Sequence, residues 1–359
     1  MRIALNGFGR IGRAFFKLAL AEPNLEIVAV NDLTSIEDII YLLYHDTVYG
    51  FYDHKIAYTA SDPEQPFLND LRFKNSKSLP ASSFNVDGGK EIFYFQEKDP
   101  ANLPWRELNI EVVIEATGVF EDFIKAKSHL GAGAKKVIIT APAKGEEGKD
   151  GRTVLLNINE EELLKFEVIS NGSCTTNAVA PVLAILAERL GIKKALLNTV
   201  HAYTATQNLV DGTTKGKDLL RGRAAAQNIV PATTGAALAV TKVLKQLDQK
   251  FDGLAVRVPV VCGSLADLTF VSERVTTPEE INKILADASK EEKWKNILEV
   301  HYEPLVSSDI IKNTHPAIID LSFTKVVAGD LCKVFVWYDN EWGYAWTLVE
   351  QLKRLQAIL

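Results

Sequence analysis

A short apolar run, Arg2 to Asn6, leads directly into NGFGRIGR, where Gly7, Gly9 and Gly12 stand in the spacing G-x-G-x-x-G. Each glycine answers a separate backbone demand. The first makes the tight turn, the second lets the main chain approach a pyrophosphate, and the third lets helix and strand pack closely. The pattern predicts a strand over Arg2 to Asn6, a turn, and a helix from Arg10 to about Glu22. The apolar run EIVAVND follows as a second strand ending at Asp32. Such a βαβ unit seats a dinucleotide with its phosphates on the free N–H groups of the helix N-terminus, here Gly7, Phe8, Gly9, Arg10, Ile11 and Gly12. A carboxylate at Asp32 accepts hydrogen bonds from ribose hydroxyls and repels a 2′-phosphate, so NAD is expected over NADP.

Further β-rich runs, EIFYF, EVVIEAT, KKVIITAP and FEVIS, alternate with helical stretches such as DFIKAKSHLGAG and extend this unit into a mainly parallel sheet. Between Gly50 and Asp99 the chain turns polar and turn-rich, and residues about 51–98 read as an inserted surface excursion. Past position 174, TTNAVAPVLAILAERLG is apolar nearly all round and closed by Gly191, as in a buried helix. The second half carries strand runs KKALLNTVHAY, GLAVRVPVV, LADLTFVSERV and KVFVWY. Its helices fall at Gly235 to Leu247 and Pro278 to Lys290. Few βαβ crossovers there imply a mixed or antiparallel sheet with helices on one face. The fold class is therefore α/β, a Rossmann dinucleotide-binding domain plus an α+β catalytic domain. The expected boundaries are 1–173, completed by a C-terminal helix at 341–359, and 174–340, and 359 residues suffice for two cores.

A formal charge of −6 gives no basic field for polyanions, so neither nucleic acid nor an anionic membrane is an expected partner. No secretory h-region or membrane-length apolar run is visible, and a cytoplasmic location is expected. Three widely spaced cysteines, Cys174, Cys262 and Cys332, suggest neither a disulfide framework nor a zinc site, and no metal is expected.

Among them Cys174 invites a chemical reading. It stands where FEVIS hands over to a helix, whose N-terminus and neighbouring hydroxyls of Ser173, Thr175 and Thr176 are conditions that lower a thiol pKa. Cys262 and Cys332 lie in or beside strands and read as small buried residues. A thiolate wants an imidazole to shuttle its proton, and His201, at the end of the next strand, is the candidate. His45, His54, His129, His301 and His315 read as surface residues. Thr204, Thr206, Arg221, Arg223, Thr233, Thr234, Gly235 and Arg257 form a set of hydroxyl, backbone and guanidinium groups of the kind that holds a phosphate. The same residues would also serve as helix caps or solvated surface groups.

In combination, NGFGRIGR, the ND at 31–32, DPANLPW, EATGVF, GAKKVIITAPAKG, SNGSCTTN, HAYTATQ, RAAAQNIVPATTGAA, RVP and WYDNEWGY resemble the phosphorylating glyceraldehyde-3-phosphate dehydrogenases across essentially the whole chain. The resemblance implies NAD-dependent oxidation of D-glyceraldehyde 3-phosphate, with inorganic phosphate as second substrate. Cys174 would be the nucleophile and His201 its base. Ser173, Thr175, Thr234, Gly235 and Arg221 would hold the attacking phosphate, and Thr204, Thr206 and Arg257 the substrate's own. Asn340 would bind the nicotinamide carboxamide with Tyr344 near that ring. Lys98, Thr117 and Thr140 would complete the cofactor site. A segment from about Thr204 to Val230 looks like the family's S-shaped loop, which implies a homotetramer.

Some positions depart from the family pattern. Ala178 replaces a frequent second cysteine, Lys98 stands where an arginine near the adenine is common, and VVCGSLADL and TVLLNINEEEL lack an asparagine-containing segment and a glycine, respectively. Two other readings carry weight on sequence alone. An erythrose-4-phosphate dehydrogenase would share the scaffold, and a non-catalytic NAD- or RNA-binding protein would share the groove.

Overall fold

The computed structural model describes residues 1–59, 71–214 and 218–358. These form two compact units, one of residues 1–154, 161–171 and 348–359, the other of 155–160 and 172–347.

The first unit begins with β1 (Arg2–Asn6), α1 (Arg10–Ala19), β2 (Glu26–Asn31) and α2 (Ile36–Tyr44). A small hairpin of β3 (His45–Asp46) and β4 (Gly50–Phe51) precedes β5 (Ile56–Thr59), β6 (Ser82–Val86) and β7 (Ile92–Phe95). The unit continues through β8 (Val112–Glu115), α3 (Phe123–Ala126), α4 (Ser128–Gly131), β9 (Lys136–Ile139), β10 (Arg152–Thr153) and β11 (Val168–Ser170). Nine of the described strands join in the order β10-β11-β9-β8-β1-β2-β7-β6-β5. Pairing is parallel from β10 to β7 and antiparallel at β7-β6 and β6-β5. Among the described residues of the stretch read as a surface excursion, β5 and β6 instead extend the sheet beyond β7, the strand expected at EIFYF, and Phe84, Phe93 and Phe95 are buried. The polar stretch hid this, since an antiparallel edge with one wetted face needs few apolar residues. The part of that excursion at 60–70 lies outside the described residues.

The second unit contains α5 (Cys174–Arg189), β12 (Ile192–Ala202), β13 (Val230–Thr233), α6 (Ala236–Val243), β14 (Phe251–Val258), β15 (Ser264–Ser272), α7 (Pro278–Ala288), β16 (Leu298–His301), β17 (Ala317–Val327) and β18 (Leu331–Tyr338). Its sheet runs β13-β14-β12-β15-β18-β17-β16 and is mixed, with β12-β14 and β16-β17 parallel. α5, α6 and α7 cover one face, and the core packs Val179, Leu183 and Leu186 of α5 against Leu197, Leu268 and Val336. The last helix, α8 (Trp342–Ile358), is divided between the units at Leu348.

Candidate active site

In the first unit the glycine loop has the shape its sequence demands. Gly7 has φ +95°, and a Cβ there would sit 2.6 Å from the Ala116 carbonyl carbon. One on Gly12 would sit 2.3 Å from the Gly7 carbonyl oxygen, whereas one on Gly9 would meet nothing within 4 Å. So the outer glycines close the turn, and the middle one leaves room above the N-terminus of α1. That helix starts at a glycine cap and carries no acid in its first turn, leaving its dipole end to an anion. Phe8 donates its N–H to Asp32 Oδ2 at 2.7 Å, and Thr34 donates to Oδ1 through both N–H and hydroxyl. The Arg10 guanidinium reaches Asp46 at 3.2 Å, and Ile11 lies in the first turn.

The other expected cofactor residues stand at the carboxyl ends of neighbouring strands: exposed Lys98 beyond β7, Thr117 beyond β8 and Thr140 beyond β9. Thr117 is held by Glu115, which accepts both its N–H and its hydroxyl. This set, with an open glycine, a helix N-terminus without an acid in its first turn and an acid at the next strand end, fits a dinucleotide.

In the second unit Cys174 is the first residue of α5. The helix start is fixed by a reciprocal cap, with Thr176 N–H donating to Ser173 Oγ at 3.1 Å and Ser173 N–H to Thr176 Oγ1 at 3.2 Å. The Cys174 thiol therefore stands at a defined helix end, 3.4 Å from His201 Nε2 on β12. Parallel pairing of β12 with β14 sets Arg257 directly beside His201. Nδ1 of His201 is 2.7 Å from the Ala202 carbonyl oxygen, and Arg257 Nη1 is 2.9 Å from both. The carbonyl can only accept and the guanidinium can only donate. The shorter contact, and a carbonyl that can take both donors, put the imidazole proton on Nδ1. Nε2 then presents its lone pair to the thiol.

Electrostatics agree with that assignment. Burial pushes the Cys174 thiol up, with Arg257 pulling the other way. Burial, and then the Arg257 charge, push His201 down to about 3 against the pull of the Ala202 carbonyl. Both shifts favour the neutral forms of the pair, against the lowered thiol that a helix N-terminus alone predicts. Desolvation outweighs the dipole here.

The proposed phosphate residues fall differently from their expected grouping. Arg221 donates through Nη1 to Thr206 Oγ1 at 2.7 Å, and Thr206 lies 2.9 Å from Thr204 Oγ1. Arg221 thus joins Thr204 and Thr206, where the resemblance had set it with Ser173, Thr175, Thr234 and Gly235. The reason is local, since Asp218 holds its Nε at 2.9 Å and turns the other end toward the threonines. Ser173 is occupied in the cap, and the Thr175 hydroxyl lies 2.8 Å from Tyr338. Thr234 accepts from Ala236 N–H beside Gly235, at the start of α6. Asn340 Oδ1 accepts from Gly263 N–H and Ser264 hydroxyl, which orients its amide. Tyr344 is buried, with its hydroxyl donating to the Gly172 carbonyl.

Sequence reasoning missed Tyr338. Its hydroxyl links Thr175 to Thr199, and its ring meets His201 edge-on at 5.9 Å. The alternation Cys332, Val334, Val336, Tyr338 along β18 carried the signal, since it turns the tyrosine inward at a strand end. Cys262 and Cys332 are buried, as their strand positions suggested. His129, read as a surface residue, is fully buried.

One unit with a dinucleotide-binding loop and one with a thiol–imidazole pair fit the class of NAD-dependent oxidoreductases. The family model described as glyceraldehyde 3-phosphate dehydrogenase, NAD binding domain, matches residues 1–64 and 69–123, and that of the C-terminal domain matches 173–340. A glyceraldehyde-3-phosphate dehydrogenase of Thermotoga maritima is 45% identical over 357 residues, 99% of this chain and 98% of that protein. Those of Bacillus subtilis, named glyceraldehyde-3-phosphate dehydrogenase 2, and of Geobacillus stearothermophilus are 40% and 42% identical, covering 99% and 98% of this chain and 97% and 96% of theirs. The chain belongs to the glyceraldehyde-3-phosphate dehydrogenase family, and its cofactor is NAD.

Proposed function

We propose that the protein oxidises D-glyceraldehyde 3-phosphate and phosphorylates the product to 1,3-bisphosphoglycerate, a step of glycolysis and gluconeogenesis. The observation that carries this reading is the 3.4 Å approach of Cys174 Sγ to a His201 Nε2 lone pair at the start of α5. As the sulfur attacks the aldehyde carbon, Nε2 takes the thiol proton, and the oxyanion of the thiohemiacetal faces the Cys174 N–H and the new Nε2–H. NAD, when bound, supplies the hydride acceptor. His201 passes that proton from Nε2 to the oxyanion and takes it back as the hydride leaves the carbon and the thiohemiacetal becomes a thioester on Cys174. Inorganic phosphate attacks the thioester carbonyl, the C–S bond breaks, and the thiol regains a proton.

The anion subsites follow from charge. Burial, and then the Arg221 charge, lower the pKa of Arg257, and a dianionic phosphate would offset that by favouring the charged guanidinium. Thr204, Thr206 and Arg257 hold the substrate phosphate, with Arg221 bridging toward Ser173, Thr175, Thr234 and Gly235. Asn340 holds the carboxamide of the cofactor.

The protein works in the cytoplasm as a homotetramer, without nucleic acid or membrane partners. Supporting the assembly, Leu196 and Leu254 stand 65% and 51% exposed on β12 and β14, on the sheet face away from α5. Among the described residues no helix is long and apolar enough to cross a membrane. The test is NADH formation from the triose phosphate with and without inorganic phosphate, beside erythrose 4-phosphate. Phosphate-dependent use of the triose supports the reading. A preference for the tetrose with little need of phosphate overturns it.

A further inference from the structure

Behind the glycine loop a chain of polar side chains is shut away from water. Asn6, Asn31, Trp105, Glu115 and His129 are each no more than 4% exposed. Asn6, Asn31 and Glu115 are the last residues of β1, β2 and β8, and Glu97 lies just beyond β7. Those four strands are consecutive in the sheet. Each end delivers one part of the cofactor site, namely the glycine loop, Asp32, Lys98 and Thr117.

Every bond in the chain has a determined direction. Trp105 Nε1 can only donate, and it meets His129 Nδ1 at 3.0 Å. Nδ1 is therefore the accepting nitrogen, the ring proton sits on Nε2, and Nε2 donates to Glu115 Oε2 at 3.0 Å. Asn6 Nδ2 donates to the same oxygen at 2.5 Å, which brings the two donors 3.4 Å apart. Asn6 Oδ1 accepts from Asn31 Nδ2 at 2.7 Å, and Asn31 Oδ1 accepts from Glu97 N–H at 2.8 Å. Asn31 Nδ2 also donates to the Glu97 carbonyl at 2.9 Å. The other oxygen of Glu115 holds Thr117 by its N–H at 2.8 Å and by its hydroxyl. The backbone of Ala116 and Thr117 is also the surface against which Gly7 closes its turn.

Donors from both sides thus converge on one buried carboxyl group, which orients both amides, fixes the His129 tautomer and pins the Thr117 turn. We propose that Glu115, backed by His129 and Trp105, is a positioning residue that holds four strand ends at the spacing NAD requires. Its role is to align a binding surface, since it lies beneath the loop and in a different unit from the thiol. The inference rests on NAD binding by the first unit and is independent of the chemistry proposed for Cys174.

The test is calorimetric titration of NAD into the full chain and its variants, with iodoacetamide alkylation of Cys174 as a second readout from the other unit. Binding by the unaltered chain tests the cofactor reading itself. Glu115→Gln keeps the shape but turns one acceptor into a donor facing donors, so NAD affinity should fall about tenfold or more. His129→Phe, which removes both ring nitrogens, should act alike, and His129→Gln, which keeps an amide N–H near Glu115, should recover part of the loss. KM for NAD should rise while KM for the aldehyde holds, and the alkylation rate should stay within about twofold. Should Glu115→Gln fail to fold, the two His129 variants decide alone. NAD affinity within twofold of the unaltered chain in folded variants overturns the proposal. So does an equal loss in aldehyde KM and alkylation rate, which would mark a general loosening of the protein.

Discussion

A thiol and an imidazole 3.4 Å apart, each pushed toward its neutral form by burial, suit the proposed nucleophile that is activated as it attacks. Replacing Cys174 with serine should lower turnover at least about a thousandfold while NAD still binds, checked by steady-state rates and calorimetry. His201→Asn, which keeps a polar group but loses the base, should cost about 10²–10⁴ in kcat. The pH dependence follows from the two shifts. With the thiol raised by burial, alkylation of the free protein should climb through and beyond the ordinary thiol range near about 8.5. With His201 down at about 3, the imidazole stays neutral through pH 5 and adds no second inflection. A step near about 6.5 would instead place imidazolium in the resting site. Arg257→Leu removes the charge that favours the thiolate, so alkylation at fixed neutral pH should slow. Of this constellation, Cys174 and His201 were legible from their strand and helix junctions. Tyr338 and the Ala202 carbonyl were not, since a hydroxyl link through Thr175 and Thr199 and a backbone acceptor depend on which strands become neighbours.

At the scale of elements, the β1 to α1 turn was the most readable part of the chain, because each glycine carries its own steric reason. The three positions should respond differently. Gly12→Ala drives a Cβ into the Gly7 carbonyl and should cost about 1–3 kcal/mol of stability, measured by denaturant unfolding. Gly9→Ala meets open space at φ −69°, so it should leave stability unchanged or slightly raised and weaken NAD binding. At the far edge of the second unit, His315, against the opposing effect of burial, and then Asn313 and His301 bring the pKa of Glu299 on β16 from 4.5 to about 2. A depressed carboxylate stabilises above its unfolded value and loses that contribution as pH falls from about 4.5 to about 2. Glu299→Gln should therefore be less stable than the unaltered chain at pH 7, with the gap closing across that window in pH-dependent unfolding. The antiparallel strands β5 and β6 were misread because their polarity matched a loop, whereas β7 was legible in EIFYF. His129 was misread because its segment looks like a helical polar face, and only the stacking of four strand ends makes a buried acceptor for it.

For the whole molecule, charge and composition bounded the class of partner but could not choose a substrate; the distinct family sequences did that. Assembly is the least local property. Leu196→Asp or Leu254→Asp, placed on the exposed sheet face, should shift a tetramer toward smaller species in sedimentation velocity, and an unchanged mass would move the interface elsewhere. In the proposed reaction, oxidation ends in a thioester on Cys174 that only phosphate discharges efficiently. The most direct test is intact-mass spectrometry of the protein mixed with glyceraldehyde 3-phosphate and NAD, without phosphate and then with it. The expected result is one acyl group per chain, confined to Cys174 and released as acyl phosphate when phosphate is added. NADH formation with no adduct on Cys174, or an adduct that phosphate leaves in place, would contradict it.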